Sequence, residues 1–156
     1  MTEKKVKSMV TAAVLLFWSL WMLLSSLGNI TDFLVHFGLA DNTLGIRTHA
    51  MSVIAQTLAM HLWGITATSI LVLISSVAQL AVAYCFIIAL FAYFFSYKRF
   101  RTWVAYGFGG IVCLLICYML ASGILMYHKP IPFLFVYLIA TLITWNWIID
   151  VDENAS

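Results

Sequence analysis

The polar residues of this 156-residue chain are confined to short stretches, and long apolar stretches lie between them. Asp, Glu, Lys and Arg are absent from four windows: Ser8–Thr31, Thr48–Tyr97, Thr102–His128 and Pro130–Ile149. An apolar run of about 18 residues or more is long enough to cross a bilayer as a helix. The pattern therefore predicts an all-α integral membrane protein.

The windows predict a four-transmembrane-helix bundle that forms a single membrane domain over residues 1–156. The spans are expected at about residues 9–27, 65–95, 103–126 and 131–148.

The segment between spans 1 and 2, residues 28–64, is expected to be an outward-facing polar loop with an interfacial helix. Its second half mixes His49, Gln56 and His61 with apolar residues, a mixture typical of an interfacial or re-entrant helix. A fifth span in residues 48–64 is the alternative, and the positive-inside rule disfavours it because one basic cluster would then lie outside.

Basic residues cluster before span 1 (residues 4–7) and between spans 2 and 3 (residues 98–101). Because cytoplasmic loops carry an excess of Lys and Arg, both clusters are expected in the cytoplasm. With four spans, both termini are then cytoplasmic and residues 28–64 face outward. The predicted location is a bacterial inner membrane.

Composition strengthens this prediction. The chain is 64% hydrophobic and 9% charged, whereas about a quarter of the residues in soluble domains are charged. No hydrophilic block is large enough for a soluble domain, and no segment is suited to nucleic acid. The expected partners are the lipid bilayer, together with another membrane protein or further copies of this chain.

One polar stretch, "DFLVHFGLADNTLGIRTH" at residues 32–49, suggests metal binding. Asp32 and His36 would share one face on a helical extension of span 1, and His49 follows a turn-prone segment. Carboxylate and imidazole ligands suit Cu, Zn or Fe. The alternatives are a solvated cap on the bundle, or Asp32 capping the next helix or lying within reach of Arg47.

The spacing Asp-x3-His-x12-His, here Asp32, His36 and His49, resembles the copper-ligand motif in the C subunit of the membrane methane and ammonia monooxygenases. In that family the motif joins the outer end of one membrane helix to the start of the next. The resemblance implies copper as the metal. It is confined to this stretch, since the chain is shorter than that subunit and lacks its second, Asn-and-His motif.

A longer stretch, "LLSSLGNITDFLVHFGLADNTL", resembles a family of small four-span bacterial inner-membrane proteins of unknown function. Those proteins close span 1 with an Asn-x-Thr-Asp element and have a basic loop between spans 2 and 3. The resemblance implies the fold and the location without an activity. Where Gln79 stands here, that family often has Glu.

Small and polar residues within the spans suggest how the helices pack. Gly107, Gly109 and Gly110 are expected to let a neighbouring helix approach closely. Uncharged polar residues inside spans are expected to join helices by hydrogen bonds rather than to line a pathway. These residues are Ser75, Ser76, Gln79 and Asn146.

Two functions fit these observations best. The first is an accessory or structural subunit, or a scaffold, that works through helix–helix contacts in the membrane. The second is an outward-facing copper-binding protein or monooxygenase-like subunit built on Asp32, His36 and His49. A small-molecule carrier is disfavoured because no acid or base lies in the middle of a predicted span. No catalytic residues are identified, and the sequence leaves enzymatic activity open.

Overall fold

The computed structural model describes residues 3–41, 65–95, 97–124 and 131–153. These residues form four helices, and the described part of the chain contains no strand. The helices are α1 (Glu3–His36), α2 (Ile65–Phe95), α3 (Tyr97–Ile124) and α4 (Ile131–Glu153). The predicted all-α four-helix bundle is confirmed.

Each helix contains a stretch that is long and apolar enough to cross a membrane. These stretches are Lys5–His36, Thr66–Phe95, Arg99–Ala121 and Pro132–Asp150. Large apolar side chains cover the outside of the bundle, and Phe17, Val77 and Phe94 are each more than half exposed. An apolar exterior of this extent is stable in lipid, where it meets hydrocarbon instead of water. The chain is therefore a multi-pass membrane protein.

The four helices meet at a layer of aromatic side chains, one from each helix. Phe108 of α3 is fully buried at its centre. Its ring lies 4.9 Å from Phe86 of α2 and 6.1 Å from Trp18 of α1, both edge-to-face. On the third side Trp145 of α4 stacks on Phe108 at 6.2 Å. We call Trp18, Phe86, Phe108 and Trp145 the aromatic layer.

Contacts beyond the aromatic layer give the directions of the helices. Ser26, which follows the layer in α1, bonds to Ser76, which precedes it in α2. Tyr118, which follows the layer in α3, contacts the same part of α2. Tyr137, which precedes the layer in α4, contacts Trp21 of α1. Successive helices therefore run antiparallel, in an up-down-up-down arrangement.

The two ends of the bundle differ in charge. Lys5, Lys7, Arg99 and Arg101 lie where α1 and α3 begin, and we call this the basic end. At the opposite end, which we call the far end, α1 finishes and α2 starts. The positive-inside rule predicts both basic clusters on one side of the membrane. The up-down-up-down arrangement is consistent with this, because it places the starts of α1 and α3 at the same end of the bundle.

Helix α1 continues past Leu27, where span 1 was expected to end, and stops at His36. Gly38, with a φ of 69°, terminates it. The N–H of Gly38 bonds to the carbonyl of Val35 at 3.1 Å, and that of Leu39 to the carbonyl of Leu34 at 2.8 Å. This is a Schellman motif, in which a left-handed glycine satisfies the last carbonyl groups of a helix.

Of the three α3 glycines that were predicted to pack closely, two pack against α2. A Cβ atom on Gly107 would lie 2.8 Å from Cε1 of Phe86, and one on Gly110 would lie 2.6 Å from Cγ2 of Val82. The prediction is wrong for Gly109, where a Cβ atom would meet nothing within 4 Å. At about 100° per residue, Gly107 and Gly110 share a face and Gly109 points away from it.

Candidate functional site

Hydrogen bonds between polar side chains join α1, α2 and α3 on the far-end side of the aromatic layer. The Ser26 hydroxyl donates to the backbone carbonyl of Ser76 at 2.9 Å. The amide nitrogen of Asn29 donates to Oε1 of Gln79 at 3.1 Å. Both bonds are buried, and both cross from α1 to α2. They hold the two helices in register in a buried environment, where a hydrogen bond is electrostatically stronger than in water.

Gln79 extends this network to the third helix. Its Nε2 donates to the phenolic oxygen of Tyr118 at 3.2 Å, and the same oxygen is hydrogen-bonded to the hydroxyl of Ser75. Gln79 thus uses its carbonyl toward α1 and its amino group toward α3. We call Ser26, Asn29, Ser75, Ser76, Gln79 and Tyr118 the polar layer.

The core of the bundle is therefore divided by depth. On α1 the buried residues around the aromatic layer are mainly apolar (Leu15, Trp18 and Met22), although Ser19 is also buried, whereas Ser26 and Asn29 are buried closer to the far end. On the buried face of α2, apolar residues fill the half near the basic end, and polar residues together with Val72 fill the other half. The polar halves of α1 and α2 face each other, so their side chains form hydrogen bonds inside the bundle that lipid could not provide.

Three further polar residues are buried closer to the far end. Asp32 is 0% exposed, and Thr68 and Ser69 of α2 are also buried. At 1.5 Å per residue, Asp32 lies about 9 Å beyond Ser26 and Ser69 about 10 Å beyond Ser76, so they reach a similar depth. Within the described residues the hydroxyl of Thr68 has no hydrogen-bond partner.

The three predicted metal ligands have different positions. Asp32 and His36 both lie on α1, in its last two turns, so the expected helical extension of span 1 is present. Asp32 is buried, whereas His36 is exposed and its ring contacts Phe37 edge-to-face at 5.5 Å. His49 lies outside the described residues. Within the part of the chain that the structure describes, no three His, Cys, Asp or Glu side chains form a metal-binding group.

The prediction that polar residues in the spans join helices is confirmed for Ser75 and Gln79. The hydroxyl of Ser76 donates instead to the carbonyl of Val72 in its own helix at 2.7 Å, and only the backbone carbonyl of Ser76 contacts α1. Asn146 likewise bonds to Asp150 of its own helix at 3.3 Å. Ser26, Asn29 and Tyr118 were not predicted from the sequence as members of the network. Helical spacing offered a signal for Asn29, since Ser26, Asn29 and Asp32 recur every three residues and share one face.

A second candidate surface lies between α1 and α4. Each described helix packs closely against the next one along the chain: α1 against α2, α2 against α3 and α3 against α4. In the candidate span of α4 only 11% of residues are buried, against 28% to 33% in the other three. Helix α4 is thus held mainly by α3, and the bundle is open along its α1 side.

The opening is an apolar groove of about 490 Å³, which we call the seam. Ala13, Val14 and Phe17 are among its α1 residues, and Tyr137, Ala140 and Thr144 line it from α4. The hydroxyl of Thr144 bonds to the carbonyl of Ala140 at 2.6 Å, so it adds no unpaired donor to the groove. The alanines leave room for a helix backbone to approach closely.

No known protein family matches this chain, and neither a characterised protein nor a solved structure is significantly similar to it. The two resemblances found in short stretches of the sequence therefore have no support from a whole-chain match.

Proposed function

We propose that this protein is an accessory or scaffold subunit of a membrane complex and binds a transmembrane helix of another protein in the seam. The observation that carries the proposal is the incomplete closure of the bundle: among the four described helices, α4 packs closely only on α3. A closed four-helix bundle buries all of its helices, whereas this one leaves an apolar groove along its fourth.

The lining of the seam suits a helix. Small residues in such a groove allow close van der Waals packing, which drives helix association in lipid because apolar burial contributes little there. The aromatic side chains of Phe17 and Tyr137 flank the alanines and would add contact area on both sides of a bound helix.

Co-purification in a mild detergent tests this proposal. A partner should be recovered in stoichiometric amounts with the unaltered protein and lost with Ala13→Leu/Ala140→Leu, which fills the seam. Val77→Leu is the matched control, because Val77 is exposed on α2 away from the seam. Recovery of the same partner with the filled seam would contradict the proposal, as would the absence of a stoichiometric partner from the unaltered protein.

The second candidate function is outward-facing copper binding by Asp32, His36 and His49. It is favoured by the course of α1, which continues far enough to carry both Asp32 and His36 one helical turn apart. Metal analysis of the purified full-length protein tests it. About one copper per chain is expected after exposure to copper and removal of excess, and a content no higher than in the His49→Ala variant would contradict it.

The proposed location is a bacterial inner membrane, with both termini in the cytoplasm. The supporting observation is that both basic clusters lie at one end of the bundle, which the positive-inside rule assigns to the cytoplasm.

A further inference from the structure

Helix α4 has an outer face whose side chains are exposed. Exposed residues recur along it at alternating intervals of four and three: Phe135, Ile139, Leu142, Asn146 and Ile149. We call these five residues the α4 stripe. Such spacing keeps one face of a helix toward a single partner helix, as in the a and d positions of a coiled coil.

The α4 stripe is distinct from the other two faces of α4. The buried Thr141 and Ile148 mark the side that packs against the bundle, and Tyr137 and Ala140 mark the seam. At about 100° per residue, the centre of the stripe lies roughly 100° or more from each of these sides. A helix could therefore occupy the stripe while the seam is filled or empty.

Asn146 is the unusual member of the stripe. The other two side-chain amides of the described helices, Asn29 and Gln79, are 8% and 7% exposed and bond to each other. Asn146 is exposed, and it lies within the candidate membrane span Pro132–Asp150, next to Trp145 of the aromatic layer. Its amino group bonds to Asp150 at 3.3 Å within α4. Its carbonyl oxygen accepts no hydrogen bond within the described part of the chain, and an amide in contact with lipid is unfavourable.

We propose that a second copy of this chain packs against the α4 stripe, so that the two α4 helices run parallel and their Asn146 side chains bond to each other. An amide carries both a donor and an acceptor, and two identical amides are therefore complementary across a two-fold axis. Two copies inserted in the same orientation have parallel α4 helices, as this symmetry requires.

The remaining residues of the stripe fit this pairing. Ile139 and Asn146, seven residues apart, occupy one of the two coiled-coil positions a and d, and Leu142 and Ile149, also seven residues apart, occupy the other. A single Asn among Ile and Leu at such positions fixes the register of parallel helix pairs. Asp150 lies one turn beyond Asn146, toward the basic end, and is the last residue of the candidate span. The two carboxylates would therefore lie near the membrane surface, where water reduces their repulsion.

Cysteine cross-linking in native membranes tests the geometry. In a background with Cys85, Cys113 and Cys117 replaced by Ala, Leu142→Cys and Ile149→Cys should form dimers on mild oxidation. Ile143→Cys is the matched control, since Ile143 is exposed on α4 next to Leu142 but lies about 80° from the centre of the stripe, and it should stay monomeric. Equal dimer yields at Leu142 and Ile143, or adducts with a different protein at Leu142, would overturn the proposal.

The role of Asn146 is tested in liposomes by fluorescence transfer between labelled copies at decreasing protein-to-lipid ratios. Asn146→Leu should weaken dimerisation by about tenfold in dissociation constant, and Asn146→Gln should preserve most of it. An unchanged dissociation constant in Asn146→Leu would overturn the proposal, as would an unaltered protein that is monomeric throughout. Neither readout depends on the seam, so this proposal and the proposed function can fail separately.

Discussion

Gln79 joins three helices through the hydrogen bonds of a single side chain. It accepts a bond from Asn29 and donates one to Tyr118, and it is itself buried. We predict that Gln79→Leu lowers the free energy of unfolding by about 1–3 kcal/mol, because Asn29 and Tyr118 each lose a buried partner. Reversible unfolding in mixed micelles measures this change.

Two further variants distinguish the network from a general effect of losing an amide. Asn146→Leu removes an exposed amide and should leave the unfolding of the monomer unchanged in excess detergent. The double variant Asn29→Leu/Gln79→Leu should cost less than the sum of the two single changes, since it leaves no unpaired amide. Strict additivity would show that the bond between Asn29 and Gln79 contributes nothing measurable.

The copper hypothesis makes a separate prediction about single residues. His36→Ala and His49→Ala should each abolish metal binding, while His128→Ala should leave it intact. Affinity should fall at mildly acidic pH, because histidine binds a metal only when its imidazole is neutral. Metal titrations of the variants at neutral and at mildly acidic pH measure both effects. Retention of metal by His49→Ala would exclude the three-ligand site.

The sequence correctly identified Ser75 and Gln79 as residues that join helices, because polar groups inside an apolar span require partners. It did not identify which residues those partners are. Asn29 lay in a stretch assigned to the outward-facing segment, and Tyr118 was one of seven tyrosines in the chain. Partner identity depends on the rotation and depth of neighbouring helices, which the composition of a single helix does not fix.

At the scale of elements, two glycines of α3 lie directly against side chains of α2 and so allow the two helices to pack closely. We predict that Gly107→Ala and Gly110→Ala destabilise the protein by about 1–3 kcal/mol, since the new methyl groups would overlap Phe86 and Val82. Gly110→Leu should cost at least as much as Gly110→Ala. Thermal unfolding in detergent measures these changes.

Gly109→Ala is the matched control, because a Cβ atom at Gly109 meets nothing within 4 Å. Alanine is also the better helix former by about 1 kcal/mol, so this variant should be neutral or stabilising. Equal destabilisation at Gly107, Gly109 and Gly110 would mean that the effect comes from the α3 backbone rather than from contact with α2.

The apolar windows predicted the existence and the type of all four helices. They did not predict the residue at which α1 ends, because Asn29 and Asp32 were interpreted as residues outside the membrane. Both are buried in the bundle, and α1 stops only where Gly38 adopts a positive φ. A polar residue in a membrane protein marks either water or a polar partner, and sequence alone did not separate the two.

At the scale of the whole molecule, the four-span arrangement predicts the side on which each connection lies. Reporter fusions after Ser156 and in the Lys98–Arg101 segment should both report cytoplasm. A fusion at Asn42, which lies outside the described residues, should report the opposite side of the membrane. A cytoplasmic signal at Asn42 would contradict the proposed orientation and the outward position of His36.

Site-specific photo-cross-linking in native membranes tests most directly whether the seam binds a partner helix. A photoreactive amino acid at Ala140 faces the seam, whereas one at Val77 faces outward from α2. The scaffold proposal predicts a discrete protein adduct at Ala140 and lipid adducts alone at Val77. Lipid adducts alone at both positions would contradict it and would show that the seam is filled by the bilayer.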